Sequence, residues 1–143
     1  MTLHLVKLCV GISSVEELEN WYAEAKAFGL RAPDRIHTHR TRMFPRRSDE
    51  ISGQGSLYWV IGGAIRCRQP ILELKAGTDE DGRGYCDIVM AEDVVHTRAQ
   101  PRRPFQGWRY LEPGDAPPDL NLEVVSAEGD PALAQELSDL GLL

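Results

Sequence analysis

The stretch SLYWVIGGAIRCRQPILEL, residues 56–74, limits the fold of this chain more than any other segment. Two runs rich in β-branched and aromatic residues flank Gly62 and Gly63, a dipeptide able to take the positive φ values of a tight hairpin turn. Counting outward from the glycines sets Ile61 opposite Ala64, Val60 opposite Ile65, Trp59 opposite Arg66, Tyr58 opposite Cys67 and Leu57 opposite Arg68. Side-chain alternation then assigns Tyr58, Val60, Ile65 and Cys67 to a core face, and Leu57, Trp59, Ile61, Ala64, Arg66 and Arg68 to the other. In that register Trp59 and Arg66 are cross-strand neighbours, a geometry that allows a cation–π pair worth about 0.5–2 kcal/mol.

Further strands follow from the same pattern. Residues 4–10 (HLVKLCV) carry apolar side chains on both parities, as expected of a central strand covered on both faces. Ser14 followed by Glu17 is a capping-box pattern, and Val15, Leu18, Trp21, Tyr22, Ala25 and Phe28 recur at helical spacing until Gly29. This predicts a helix over residues 14–29, with Trp21 and Tyr22 in the core. Residues 35–43 (RIHTHRTRM) suit a strand that Pro45 ends, the next RRSDEI suits one helical turn, and YCDIVM at 85–90 returns as a strand after the DEDGRG turn. That turn lacks the spacing and terminal glutamate of a calcium loop. The expected architecture is α+β: a curled mixed or antiparallel sheet, or pseudo-barrel, packed against the N-terminal helix. Length supports one domain over residues 1–143, with a core of about 1–111. The acidic segment 112–143 would then carry a short helix opened by Asp130 and Pro131.

Charge is unevenly distributed. The formal net charge is -6, yet residues 31–47 hold Arg31, Arg35, Arg40, Arg42, Arg46 and Arg47 against Asp34 alone. A second arginine island, Arg98, Arg102, Arg103 and Arg109, contains no acid, whereas residues 110–143 contain eight acids and no Lys or Arg. Arginine outnumbers lysine 13 to 3, which favours bidentate contact with phosphate or carboxylate and stacking on flat rings. Phe44, Trp59, Phe105 and Trp108 lie within or beside these basic segments. Bases stack on such rings while arginines hold phosphates. The candidate ligand-binding residues are therefore Arg42, Arg46, Arg47, Trp59, Arg66, Arg68, Arg102, Arg103, Trp108 and Arg109. Overall acidity argues against tight binding to long duplexes, so a short RNA strand, a flipped base or a nucleotide is the expected partner. The opposing reading pairs the islands with an acidic partner, with the chain's own tail or with a second copy, making a protein-interaction module or homo-oligomer.

His37 and His39 are two apart on an expected strand and so point the same way. They would begin a metal site or serve as acid and base in a small enzyme, but two ligands do not complete a site. No metal is expected. Neither a GxSxG elbow nor a Walker or dinucleotide fingerprint is present, so the sequence names no reaction and no catalytic residue. Cys9, Cys67 and Cys86 are odd in number and form no CxxC pair, which reads as buried free thiols in a reducing cytoplasm. A chain this long buries about two thirds of its surface on folding, so stability requires no metal or disulfide and no cofactor is expected. Lys7 interrupts the only apolar run near the start, and no stretch approaches the ~20 apolar residues of a membrane span.

The wording HTHRTRMFPRRSDE, GSLYWVIGGAIRCRQPIL and RPFQGWRYL, together with HLVKLCVG and the helix after it, resembles a family of small uncharacterised bacterial proteins, a domain of unknown function. The resemblance covers nearly the whole chain and brings no established activity with it. A weaker likeness lies in the order of elements: strand, helix, basic segment, then strands with a glycine hairpin and an arginine-bearing strand. That order is similar to the pseudo-barrel domains of the PUA, ASCH and EVE groups, and it implies RNA or modified-base binding only by analogy of fold.

Overall fold

The structure, a computed structural model, describes residues 2–27 and 36–120. Seven strands and one α-helix follow in the order β1 (His4–Leu8), α1 (Val15–Ala27), β2 (Ile36–Thr41), β3 (Ser56–Ile61), β4 (Ala64–Thr78), β5 (Gly84–Ala91), β6 (Val95–Pro101) and β7 (Trp108–Leu111). Single 3-10 turns occupy Ser48–Glu50, where one helical turn was expected, and Pro113–Asp115. Pairing runs β2-β5-β4-β3-β1-β7, with β6 beside β4. All ladders are antiparallel except β1 with β3, which are parallel and joined through α1 and β2. The sheet is therefore mixed, and the fold is α+β as expected. The helix expected in the acidic tail, and the Phe28–Gly29 stop of α1, lie outside the described residues.

The glycine pair does form the hairpin turn, with φ of 60° at Gly62 and 82° at Gly63. The register near it agrees with the count, Ile61 facing Ala64 and Val60 facing Ile65. Beyond that point it fails. A β-bulge between Trp59 and Val60 sets Trp59 opposite Cys67, Tyr58 opposite Arg68 and Leu57 opposite Gln69. Arg66 is the extra residue; its Nε donates to the Ile61 carbonyl at 2.7 Å, so it turns back on the turn instead of covering Trp59. Cys67 moves to the Trp59 side. The division into one core face and one outer face fails with it, because all six residues of β3 are buried. Leu57, Trp59, Ile61 and Cys67 enter the larger core cluster, whereas Tyr58, Val60 and Ile65 form a second cluster on the reverse face with Val6 and Leu111.

Curling of the sheet explains the larger cluster. β2 and β7 end the pairing order, yet the Trp108 Nε1–H donates to the carbonyl of Met43, two residues past β2, at 2.8 Å. The Arg47 amide donates to the Tyr110 hydroxyl at 3.2 Å. Side chains thus tie the two ends together while no β2–β7 ladder forms, and the sheet remains open. β4 makes the curl possible: its first half pairs with β3 and β6 and its second half with β5, the change falling at Pro70 and at a bulge between Ile71 and Glu73.

α1 lies against the inner face with Val15, Leu18 and Tyr22 buried. Its start obeys the capping pattern. The Glu17 amide donates to Ser14 Oγ at 3.0 Å, and the Glu17 carboxylate reaches back to the amide and hydroxyl of Ser13. Trp21 departs from the expected core stripe and is 46% exposed. Neighbouring helical positions are about 100° apart, so with Tyr22 on the buried stripe Trp21 falls at its margin. Cys9, Cys67 and Cys86 are free and buried, as expected. Among the described residues no helix is long and apolar enough to cross a membrane.

A candidate ligand pocket walled by aromatic rings

A cavity of about 280 Å³ opens between α1 and the inner face of the sheet. The end of β1 and the chain after it supply Lys7, Leu8, Cys9, Val10 and Ile12; α1 supplies Leu18, Trp21 and Tyr22; β2 supplies His37 and His39; β3 supplies Trp59. Five aromatic rings therefore surround one space, and they contact each other edge to face. Centroid separations are 5.2 Å for Trp21–Tyr22, 5.5 Å for Trp21–His37, 5.4 Å for Tyr22–His37 and 5.5 Å for His39–Trp59.

The pocket wall is set by one buried amide. Gln69 is wholly buried. Its Oε1 accepts from the Tyr22 hydroxyl at 3.0 Å and from the Trp59 indole N–H at 2.8 Å, and its Nε2 donates to the Ala91 carbonyl at 2.9 Å. Helix, hairpin and β5 are thereby held to one side chain, and the Tyr22 and Trp59 rings are fixed in the cavity wall. A second tie, His96 Nε2 to Glu19 Oε1 at 3.0 Å, holds the helix to β6.

Lys7 sits in the middle strand of this wall, in register with Trp59 on one side and Trp108 on the other. Among the described residues no carboxylate pairs with it. Partial burial lowers its pKa, with the Cys9 thiol acting weakly in the opposite sense. Burial also raises the Cys9 thiol to about 11, so Cys9 is no nucleophile near neutral pH. His37 and His39 do point the same way, into the pocket. His39 Nε2, however, is sealed from solvent with no partner, and burial followed by the Lys7 charge lowers its pKa. The imidazole is thus a neutral wall. Among the described residues no cluster of three or more potential ligands could hold a metal ion.

These shifts give the protein a pH dependence of definite sign. His4, whose Nδ1 accepts from the Ser56 amide at 2.9 Å, is lowered from 6.5 by burial and then by Arg68. His39 is also lowered from 6.5. On acidification the unfolded chain takes up protons first at both positions, so their contribution to stability is intact above pH 6.5 and is lost as pH falls through the folded-state values. Thermal melts between pH 7.5 and 5 should show a falling Tm that is shallower in His39→Phe; an unchanged slope in that variant would exclude His39 as a source.

The arginines named from the sequence fall into two groups. Several are matched by carboxylates: Arg42 with Asp79 at 2.8 Å, Arg47 with Glu50 at 2.7 Å and Glu112 at 3.0 Å, and Arg68 bidentately with Asp119 at 2.9 and 2.8 Å. Arg40 is likewise paired with Asp87 and lies 3.6 Å from the Tyr85 ring centroid. Arg46, Arg102, Arg103 and Arg109 are not so matched among the described residues. Arg46 and Arg103 are exposed and have no ion pair among the described residues. Arg102 and Arg109 flank the Phe105 ring at 5.8 and 5.1 Å. Arg109 pairs in register with Val6, and Phe105 packs on the Val6 cluster, so this group occupies the face opposite the pocket. Trp59 and Trp108 share the pocket side, where Trp59 is 4% exposed and Trp108 is half-buried. Arg66 lies beside Gly62, where an added Cβ would stand 3.9 Å from its Nε and 3.9 Å from the Ser13 carbonyl oxygen, and it is not among the residues that line the cavity.

Two pocket residues had signals in the sequence that the strand and helix patterns obscured. Lys7 is a charge inside a strand whose apolar residues cover both faces, and Trp21 adjoins Tyr22 on a helix with a single buried stripe.

A family model described as "Protein of unknown function (DUF1489)" matches residues 5–143. The chain belongs to the DUF1489 family. The match takes in every residue that lines the pocket of this DUF1489 chain, from Lys7 on β1 to Trp59 on β3. No curated protein and no solved structure matches it.

Proposed function

We propose that this DUF1489 protein is a binding module for a ligand carrying a flat ring and a phosphate, either a nucleotide or an unpaired base of a short RNA strand. The observation that carries this reading is the ring-lined cavity. At about 280 Å³ it falls just below the ~300–1,000 Å³ of small-molecule sites, a size suited to one ring system with the sugar and phosphate left outside. Trp21, half exposed at the opening, offers a stacking surface, and Lys7 offers a cation at the wall. Arg66, at the hairpin turn that adjoins the end of β1, is the arginine we assign to the phosphate, in exchange for contacts it already makes. Arg102 and Arg109, on the face opposite the pocket, add contacts only for a longer strand that passes round the sheet; Arg46 and Arg103 have no carboxylate partner among the described residues. Arg42, Arg47 and Arg68 contribute only by exchanging a carboxylate for the ligand. No chemical step is part of this reading: His39 Nε2 is sealed from solvent, and burial raises the Cys9 thiol to about 11.

Replacing Trp21 by Ala tests it. Stacking on an aromatic side chain is worth about 1–3 kcal/mol, so affinity for a nucleotide or short RNA should fall about 5- to 150-fold in Trp21→Ala while Tm stays close to wild type. Calorimetric titration at low salt that finds no binding to nucleotides or RNA by the wild-type protein would exclude the reading.

A further inference from the structure

The pocket's polar groups are few, and most are already engaged. The Trp59 N–H and the Tyr22 hydroxyl both donate to Gln69, and His39 Nε2 is closed off from solvent. Lys7 remains: half-buried, standing among rings, and without a carboxylate among the described residues. A lysine ammonium has three donors and no acceptor. Whatever enters this space must therefore meet it with an acceptor, or leave it desolvated and unpaired. A phosphate answers poorly. It would leave water for an apolar, ring-lined space holding one cation, and the desolvation of a multiply charged group exceeds what one pairing returns. A neutral ring with an exocyclic carbonyl oxygen answers well, since it needs one donor and loses little hydration. The same ring bearing an amino group presents a donor to a donor.

We infer that Lys7 is the specificity-determining residue of the pocket, which selects oxo-substituted heteroaromatic rings, the keto purines and pyrimidines, over their amino counterparts. This rests on the base-binding reading and deepens it. Trp21 supplies stacking that is indifferent to the substituent, whereas Lys7 distinguishes one ring from another because an oxo group at the exocyclic position accepts its N–H and an amino group there does not. A buried donor that meets no acceptor discriminates more strongly than an extra attractive contact does, so the preference should be large for so small a change in ligand.

Inosine and adenosine 5′-monophosphates make a suitable pair of probes, sharing sugar, phosphate and ring skeleton while differing at the exocyclic oxo or amino group and at the adjoining N1, a donor in the first and an acceptor in the second. Calorimetric titration of the full chain should show the inosine nucleotide binding at least about tenfold more tightly. Lys7→Met, which keeps the length of the side chain and removes its donors, should reduce that ratio to near one mainly by weakening the inosine nucleotide. Trp21→Ala should weaken both ligands by a similar factor and preserve the ratio. A thermal melt of each variant separates lost selectivity from lost folding. If Lys7→Met does not fold, Lys7→Gln, which offers an acceptor as well as a donor, should lower the ratio towards one in its place. Equal affinities in the wild type, both reduced by Trp21→Ala, would overturn the selectivity and leave the base pocket standing. A preference for the adenosine nucleotide would do the same. No binding of either would remove both the selectivity and the reading beneath it.

Discussion

Gln69→Leu should lower stability by about 2–4 kcal/mol, and for a chain of this size the Tm by about 10 °C. The volume change is small, so the loss is not one of packing. It arises because the Trp59 indole N–H loses its acceptor at 2.8 Å and the Ala91 carbonyl loses its donor at 2.9 Å in a region closed to water. The Tyr22 hydroxyl also loses its 3.0 Å contact, and with it the tie between α1 and the sheet. Ligand binding should fall further than stability does, because Tyr22 and Trp59 are two of the five rings and would no longer be oriented by a common partner. Gln69→Glu keeps the acceptor but removes the donor and buries a carboxyl, so it should recover only part of the loss near neutral pH and more on acidification, when the carboxyl is protonated. Urea denaturation of the three proteins provides the measurement. A Gln69→Leu variant within about 0.5 kcal/mol of wild type would show that the amide is incidental to the fold.

Gly55→Ala should destabilise by about 3 kcal/mol or more. Gly55 is buried where the chain enters β3, and a Cβ there would fall on the backbone carbonyl oxygen of Leu3, with His4 Nδ1 at 3.3 Å as well. The obstruction is backbone on both sides. Leu3 is held by its amide to the Glu50 carbonyl at 2.8 Å, while Gly55 donates to Ile51 and accepts from the Ile71 amide at 2.9 Å. Neither strand can yield without breaking the ladder that joins β1 to β3. Gly114→Ala is the control, since no heavy atom lies within 4 Å of its added methyl, and it should remain within about 0.5 kcal/mol of wild type. Similar denaturation midpoints for the two variants would contradict the close approach at Gly55.

The candidate site was only partly legible. His37 and His39 were expected to point together, and they do so as pocket walls. Trp59 was expected in the site and lines the cavity, but its partner there is Gln69, not Arg66. One bulge accounts for the difference. A single inserted residue reverses every side chain beyond it, and hairpin counting assumes that no such insertion exists. Trp21 and Lys7 were missed for another reason: periodicity sorts residues into inside and outside, whereas the wall of a pocket is neither. The arginine islands were plain as composition. Which guanidiniums meet a carboxylate depends on contacts such as Arg68 with Asp119, 51 residues apart, and no local pattern encodes them.

By itself the sequence determined the local elements: the hairpin at Gly62 and Gly63, the cap of α1 by Ser14, the strands as far as β5, and the α+β character; β6, β7 and the pairing order were not in it. Each of the local elements depends on backbone preferences and spacing within a few residues. Only the tertiary structure decided that the sheet curls until Trp108 reaches Met43, that both faces of β3 are buried, and that five rings from three elements close on Lys7. These features arise from packing between segments far apart in the chain, where the free energy of burial, and not local propensity, selects the arrangement.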